Sequence, residues 1–235
     1  MKRACLQQNT NTYEQNHASS IRPLKINFVR MKKNPFLLVF AGAMVLYSCK
    51  PAVKKESGPS GAAEEGTYTV LTDSSSIFWR GSMLNIYDHF GFIKFNGGSF
   101  TVSGNAMIAG NFEVDMRSIS PTDENYTKKN PKEYLVAHLS NADFFAVDSF
   151  PVATFVAEEM RSDTLFGKFT VRGHTAEEAV TGIRLAQQGN TLRAEGNLVF
   201  NRQKYGVSYD TKMKDRVLKD EIELKIHIVA LKNPN

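Results

Sequence analysis

The sequence predicts an all-β domain over residues 67–232, antiparallel strands arranged as a sandwich or a closed barrel with one or two short helices. Three observations carry that expectation. From residue 66 onward apolar side chains recur at every second position, the pattern of strands with one dry and one wet face. Glycine and asparagine clusters separate the runs at hairpin spacing. The only cysteines, Cys5 and Cys49, lie upstream, so the domain must be held by its core and not by disulfides.

The upstream part follows from charge and hydropathy. Seven Lys and Arg precede Cys49 against Glu14 alone, a net of +6, which leaves the rest of the chain at −1 of its +5 total. A nucleic-acid partner is therefore not expected, because the basic surplus is not on the folded part. Met31-Lys32-Lys33-Asn34 is a positive start, and residues 35–46 are an apolar run too short to span a bilayer. With Leu46-Tyr47-Ser48-Cys49 behind it, 31–48 resembles a bacterial lipoprotein signal, in which the Cys49 sulfur is acylated and becomes the new N-terminus. A plain signal peptide or anchor is the alternative. Residues 1–30 read as an upstream extension. Residues 49–66, rich in Pro, Gly, Ser, Lys and Glu, read as a flexible tether.

Within the domain, Ile77 and Trp79 form the first inward pair, and Ile93 and Phe95 the second. Gly97-Gly98, Ser103-Gly104-Asn105, Gly110 and Gly189-Asn190 are expected as turns. Phe112, Val114 and Met116 alternate with Glu113 and Asp115. Residues 130–139 invite a short helix, with Pro131 in its first turn and Tyr134, Leu135 and His138 on one side. Residues 138–155, HLSNADFFAVDSFPVATF, carry Phe144, Phe145 and Phe150 between turn formers, and read as an apolar plug leading into a strand that holds Phe155. Phe169 and Val171 alternate with Lys168, Thr170 and Arg172; Leu198 and Phe200 follow. Ile222, Leu224, Ile226 and Ile228 alternate with Glu221, Glu223, Lys225 and His227.

Seven or eight such strands suit a sandwich or a barrel equally by period. Large inward side chains on nearly every strand would overfill a sandwich and favour a barrel around an elongated guest.

The order H-F-G (89–91), GNFEVDMRSI (110–119), the plug segment, GKFTVRGHT (167–175) and NRQKYGVSYD (201–210) resembles the YceI-like family throughout residues 67–231. The resemblance implies an eight-stranded, lipocalin-like antiparallel β-barrel whose apolar tunnel takes long isoprenoid or similar chains, with no resident cofactor. His174 and Glu177-Glu178 depart from the family's pattern, in what reads as a turn.

The expected function is thus a non-catalytic carrier or store of a polyisoprenoid, isoprenoid quinone or similar lipid, tethered through Cys49 in the bacterial envelope. The expected wall is Ile77, Trp79, Ile93, Phe95, Phe112, Val114, Met116, Phe155, Phe169, Val171, Leu198, Phe200, Leu224 and Ile226, and ordinary core packing is the alternative for each. Arg202 and Lys204 are candidates for a polar rim, against a solvated hairpin flank. The physics needs no polar anchor, since a prenyl unit buries on the order of 100 Å², worth roughly 2.5 kcal/mol. Asp88-His89 and His138 with Asp143, joined to Ser82 or Ser140, would imitate a hydrolase triad, but no G-x-S-x-G elbow accompanies them. His89 and His138 are expected as hydrogen-bonding braces, and no His spacing suggests a metal site. An enzyme on a lipid-like substrate and a barrel filled by its own side chains remain as competing readings. The sequence leaves the oligomeric state open, a homodimer included.

Overall fold

Strict alternation builds this domain, and strand Thr191–Asn201 shows it best. Leu192, Ala194, Gly196, Leu198 and Phe200 are buried while Arg193, Glu195, Asn197 and Val199 face solvent. The computed structural model describes residues 62–83, 87–209 and 218–234. The extension 1–30, the signal at 31–48, Cys49 and most of the 49–66 tether lie outside the described residues.

The strands are β1 (Gly66–Val70), β2 (Ser76–Met83), β3 (Tyr87–Ser103), β4 (Ala106–Pro121), β5 (Val152–Arg161), β6 (Thr164–Val171), β7 (His174–Gln188), β8 (Thr191–Asn201) and β9 (Leu218–Lys232). One helix, α1 (Lys132–Ser140), lies between β4 and β5. All pairings are antiparallel, and the hydrogen-bonded circuit β3-β2-β9-β8-β7-β6-β5-β4 returns to β3. The result is a closed, eight-stranded, lipocalin-like β-barrel. β1 adds no ninth position. It pairs with the far halves of β3 and β9, at Thr69↔Ser99 and Val70↔Ala230, whereas β2 takes their near halves, so β1 and β2 run end to end along one track. The short 3-10 turn Thr72–Ser74 breaks the track. Ser75 mends it, its buried hydroxyl donating to Val229 O at 3.2 Å and accepting from Val229 N at 2.9 Å.

The two ends of the barrel are built differently. At one, Gly104-Asn105, Ser162-Asp163 and Gly189-Asn190 are two-residue connections carrying positive φ at Gly104, Asn105, Ser162 and Gly189, as tight hairpins require. At the other lie α1 and the segment to Pro151, the turn Arg172-Gly173 and a 3-10 turn, Arg202–Tyr205.

Several expectations are corrected. Gly97, Gly98 and Gly110 are not turns; they lie inside the 17-residue β3 and inside β4. The β3–β4 register slips between Phe95 and Gly97, which is a bulge. A Cβ at Gly98 would stand 3.0 Å from Asn111 O and 3.1 Å from Val70, so only glycine fits beside the kink. His174, Glu177 and Glu178 are in β7, paired with Val171, Lys168 and Gly167, and not in a turn. The tether's last residues dock: Ala63 is buried and its N–H donates to Asn105 Oδ1 at 2.8 Å, while Glu64 meets Lys232 Nζ at 2.9 Å. In α1, Pro131 is the cap and Tyr134 points outward, 65% exposed.

Candidate functional site

Inward rows lie in register around the wall. Phe112 stands opposite Phe155, Phe155 opposite Phe169, Ile77 opposite Ile93 and Ile226, and Leu198 opposite Leu224. Side chains in register leave space along the axis, and a cavity of about 390 Å³ runs through it. That volume is within the roughly 300–1,000 Å³ of ligand sites. Every expected wall residue borders it: Ile77, Trp79, Ile93, Phe95, Phe112, Val114, Met116, Phe155, Phe169, Val171, Leu198, Phe200, Leu224 and Ile226. The interior is therefore not meshed solid.

Sequence reasoning missed other lining residues. Leu165 keeps the phase of Phe169 and was reachable by counting. Met107 was not, because Val102↔Met107 follows Thr101↔Ala109, and the extra residue at Ile108 flips the inward phase of β4. Val180 and Ile183 are likewise separated by the bulge at Gly182, whose φ is +66°.

The floor of the cavity is packed. Tyr68, Phe100, Val102, Met107 and Leu192 are almost fully buried there, with Tyr68 stacked on Phe100 at 5.5 Å. The Tyr68 hydroxyl lies 2.8 Å from Glu64 O and 3.1 Å from Gln187 Oε1, with its one proton between the two acceptors. Burial holds this phenol above its ordinary value.

The opposite end is the plug. Leu135, His138 and Leu139, at i, i+3 and i+4, turn one face of α1 to the cavity, and Phe144 and Phe145 follow from the next turn. Their rings meet edge to face at 5.1 Å. Phe150 does not join them; it is exposed and packs over Gly173. The Arg172 guanidinium ties this end together, donating to Gly206 O and, at 2.6 Å, to Ala142 O within the plug.

His138 is wedged between Phe144 at 5.4 Å and Tyr209 at 4.5 Å. Among the described residues its side chain makes ring contacts and no hydrogen bond. Burial pushes its pKa below the ordinary histidine value, against a smaller opposing pull from Asp143.

His89 is braced. Its Nδ1 lies 3.2 Å from both Oδ1 and Oδ2 of Asp123, a buried carboxylate that also accepts from Tyr126 OH at 2.7 Å, Asn125 N at 3.1 Å and Phe90 N at 3.3 Å. Burial alone would raise the pKa of Asp123, yet these donors outweigh it and hold the group below its ordinary value. Asp88 is not the partner of His89; it pairs with Arg80 at 2.8 Å.

The serines do not complete a triad. Ser140 Oγ donates to Val136 O at 2.7 Å, and neither Ser140 nor Ser82 borders the cavity. Among the described residues no group of three or more His, Cys, Asp or Glu is placed to hold a metal.

The polar rim assigned to Arg202 and Lys204 needs correction. Arg202 is buried, with Nε on Lys219 O at 3.2 Å, Nη1 on Val207 O at 2.6 Å and Nη2 on Asp220 at 3.0 Å. Such a guanidinium is consumed by the chain's own backbone. Lys204 meets Glu178 at 3.1 Å, and the buried Tyr205 donates to the same carboxylate at 3.0 Å. Neither Arg202 nor Lys204 borders the cavity. The one acidic residue on its boundary among those described is Glu195, whose carboxylate faces out toward His227.

Comparison with known proteins follows from this geometry. The family model described as YceI-like domain matches residues 68–230. Among solved structures, BcnA of Burkholderia cenocepacia is similar over 68% of this chain and 98% of its own, with 19% identity and a TM-score of 0.52. A polyisoprenoid binding domain from Saccharophagus degradans, implicated in plant cell wall breakdown, is similar over 71% and 98%, with 10% identity and a TM-score of 0.48. A Campylobacter jejuni YCEI protein is similar over 55% and 75%, with 16% identity and a TM-score of 0.42. No curated protein matches the sequence.

Proposed function

The chain belongs to the family of YceI-like domains, and from that premise we propose that it holds one long apolar molecule, a polyisoprenoid, isoprenoid quinone or similar lipid, along the barrel axis. It acts as a carrier or store and not as a catalyst. The observation that carries the reading is the cavity itself, about 390 Å³ walled by Phe, Ile, Leu, Val and Met with no charged side chain aimed into it among the described residues. Each prenyl unit enclosed buries on the order of 100 Å², worth roughly 2.5 kcal/mol, so a few units exceed the cost of ordering the chain. Selectivity for chain chemistry is loose, because such a wall measures width and length and reads few functional groups. The protein works in the bacterial envelope, held at a membrane by acyl chains on Cys49, in the periplasm or at the outer membrane.

One experiment tests lipid and tether together. The chain recovered from both the membrane and the soluble fractions of its own cells is analysed by native mass spectrometry before and after organic extraction. The expected result is covalent acyl mass at Cys49 plus about one equivalent of an extractable prenyl lipid or quinone. A barrel that is consistently empty overturns the carrier, and a soluble, unacylated chain overturns the tether.

A further inference from the structure

Resting on the carrier reading, we infer that His89, oriented by Asp123, is a head-group reader at the plug end of the cavity, selecting ligands whose polar end offers an O–H. The class is prenyl alcohols and hydroquinones, in preference to the same chains ending in an acceptor alone.

Asp123 orients the ring. Its carboxylate is 1% exposed and takes hydrogen bonds on both oxygens, from Asn125 N on Oδ1 and from Tyr126 OH and Phe90 N on Oδ2. Held in this way the group is an ionised acceptor, so the ring nitrogen that approaches it must bring a proton. That nitrogen is Nδ1 of His89, 3.2 Å from each oxygen. In the neutral ring the tautomer is thereby fixed, with Nδ1–H toward Asp123 and a lone pair on Nε2.

The ring cannot swing away easily. Tyr126 stacks on one face at 5.8 Å, and Tyr87 meets it edge-on at 4.9 Å. His89 borders the cavity, and Nε2 has no hydrogen-bond partner among the described residues. The side chain is 23% exposed, so the ring is partly accessible rather than sealed in protein. An apolar tunnel ending in one oriented acceptor is built to receive a donor.

The arrangement resembles half of a catalytic triad, but the other half is missing. Ser82 and Ser140 do not border the cavity, and the Ser140 hydroxyl is spent on its own helix. Among the described residues no serine or cysteine borders the cavity beside His89, and a histidine so placed discriminates by hydrogen bonding. Asp123 is then a positioning residue.

Trp79 is the chain's only tryptophan and lies on the cavity wall, so its fluorescence reports occupancy. The full chain, stripped of lipid, is titrated with geranylgeraniol and with its methyl ether, in which O–CH3 replaces O–H while the chain and the acceptor oxygen are kept. The expected result is about threefold to tenfold tighter binding of the alcohol. His89→Leu should erase that preference while leaving the ether's affinity in place, and Asp123→Asn, which no longer dictates the tautomer, should shrink it. Equal binding of alcohol and ether by the unaltered protein overturns the head-group inference and leaves the carrier standing, as does an undiminished preference in folded His89→Leu. Failure of both ligands to perturb Trp79 overturns the carrier reading itself.

Discussion

The two ends of this barrel close by opposite means. At the tight-turn end two-residue connections bring strands together directly, and Tyr68, Phe100, Val102, Met107 and Leu192 fill the axis until almost nothing is exposed. At the plug end the chain covers the axis with a helix and a run of turns, held by aromatic edges, by Arg172 and by Asp123. Floor contacts lie between strands of one continuous hydrogen-bonded circuit, so breaking them means breaking the barrel. The plug lies outside that circuit, and its described contacts are aromatic edges and a few hydrogen bonds. A carrier needs that asymmetry, because local opening costs only the contacts of the segment that opens.

Removing one ring at each end separates them most strongly. Phe100→Ala, deep in the floor, should cost about 4–5 kcal/mol in chemical unfolding. Phe144→Ala, whose ring already borders empty space, should cost nearer ~2–3 kcal/mol and speed lipid exchange, read by stopped-flow Trp79 fluorescence. Equal losses at both ends, with exchange unchanged in Phe144→Ala, would mean that the plug is as integral as the floor.

The same division explains what the sequence made legible. Period-two alternation found the wall because strand geometry leaves a side chain only two faces to choose between, and each of the residues it singled out from Ile77 to Ile226 borders the cavity. Counting failed where a bulge flipped the phase, as at Ile108 before Met107, and where glycine served a kink and not a turn, as at Gly98. Polar partnerships were the least legible. His89 and Asp123 are 34 positions apart, and nothing local announces that Asp123, and not the adjacent Asp88, will meet the imidazole. Arg202 misled for a related reason: a basic residue beside a turn looks solvent-facing until the carbonyls that surround it are known.

A smaller effect tests how the plug is latched. Arg172→Met removes both donated hydrogen bonds, to Ala142 O and Gly206 O, at a cost of about 1–2 kcal/mol. If the two ends are independent, amide exchange should accelerate through residues 139–150 and stay unchanged in β1 and at the Gly189 turn. Acceleration at both ends would show that the latch supports the whole barrel.

The smallest effect comes from His138. Its folded pKa is depressed, chiefly by burial, from the ordinary 6.5, so the unfolded or lifted segment binds more protons than the closed one. The closed state is therefore fully favoured above that value. Its advantage declines as pH falls through 6.5 and levels off below the depressed folded value, where both states carry the proton. Protection factors of the plug amides, exchange rates corrected for the intrinsic slowing of amide exchange in acid, should fall on acidification across that window in the unaltered protein but not in His138→Gln, which keeps the bulk and cannot titrate. Lipid uptake at neutral pH should survive the substitution, since the histidine contributes ring packing there. If acidification loosens the plug equally in His138→Gln, the titrating group lies elsewhere at that end, and the proton-sensitive opening assigned to this ring is wrong.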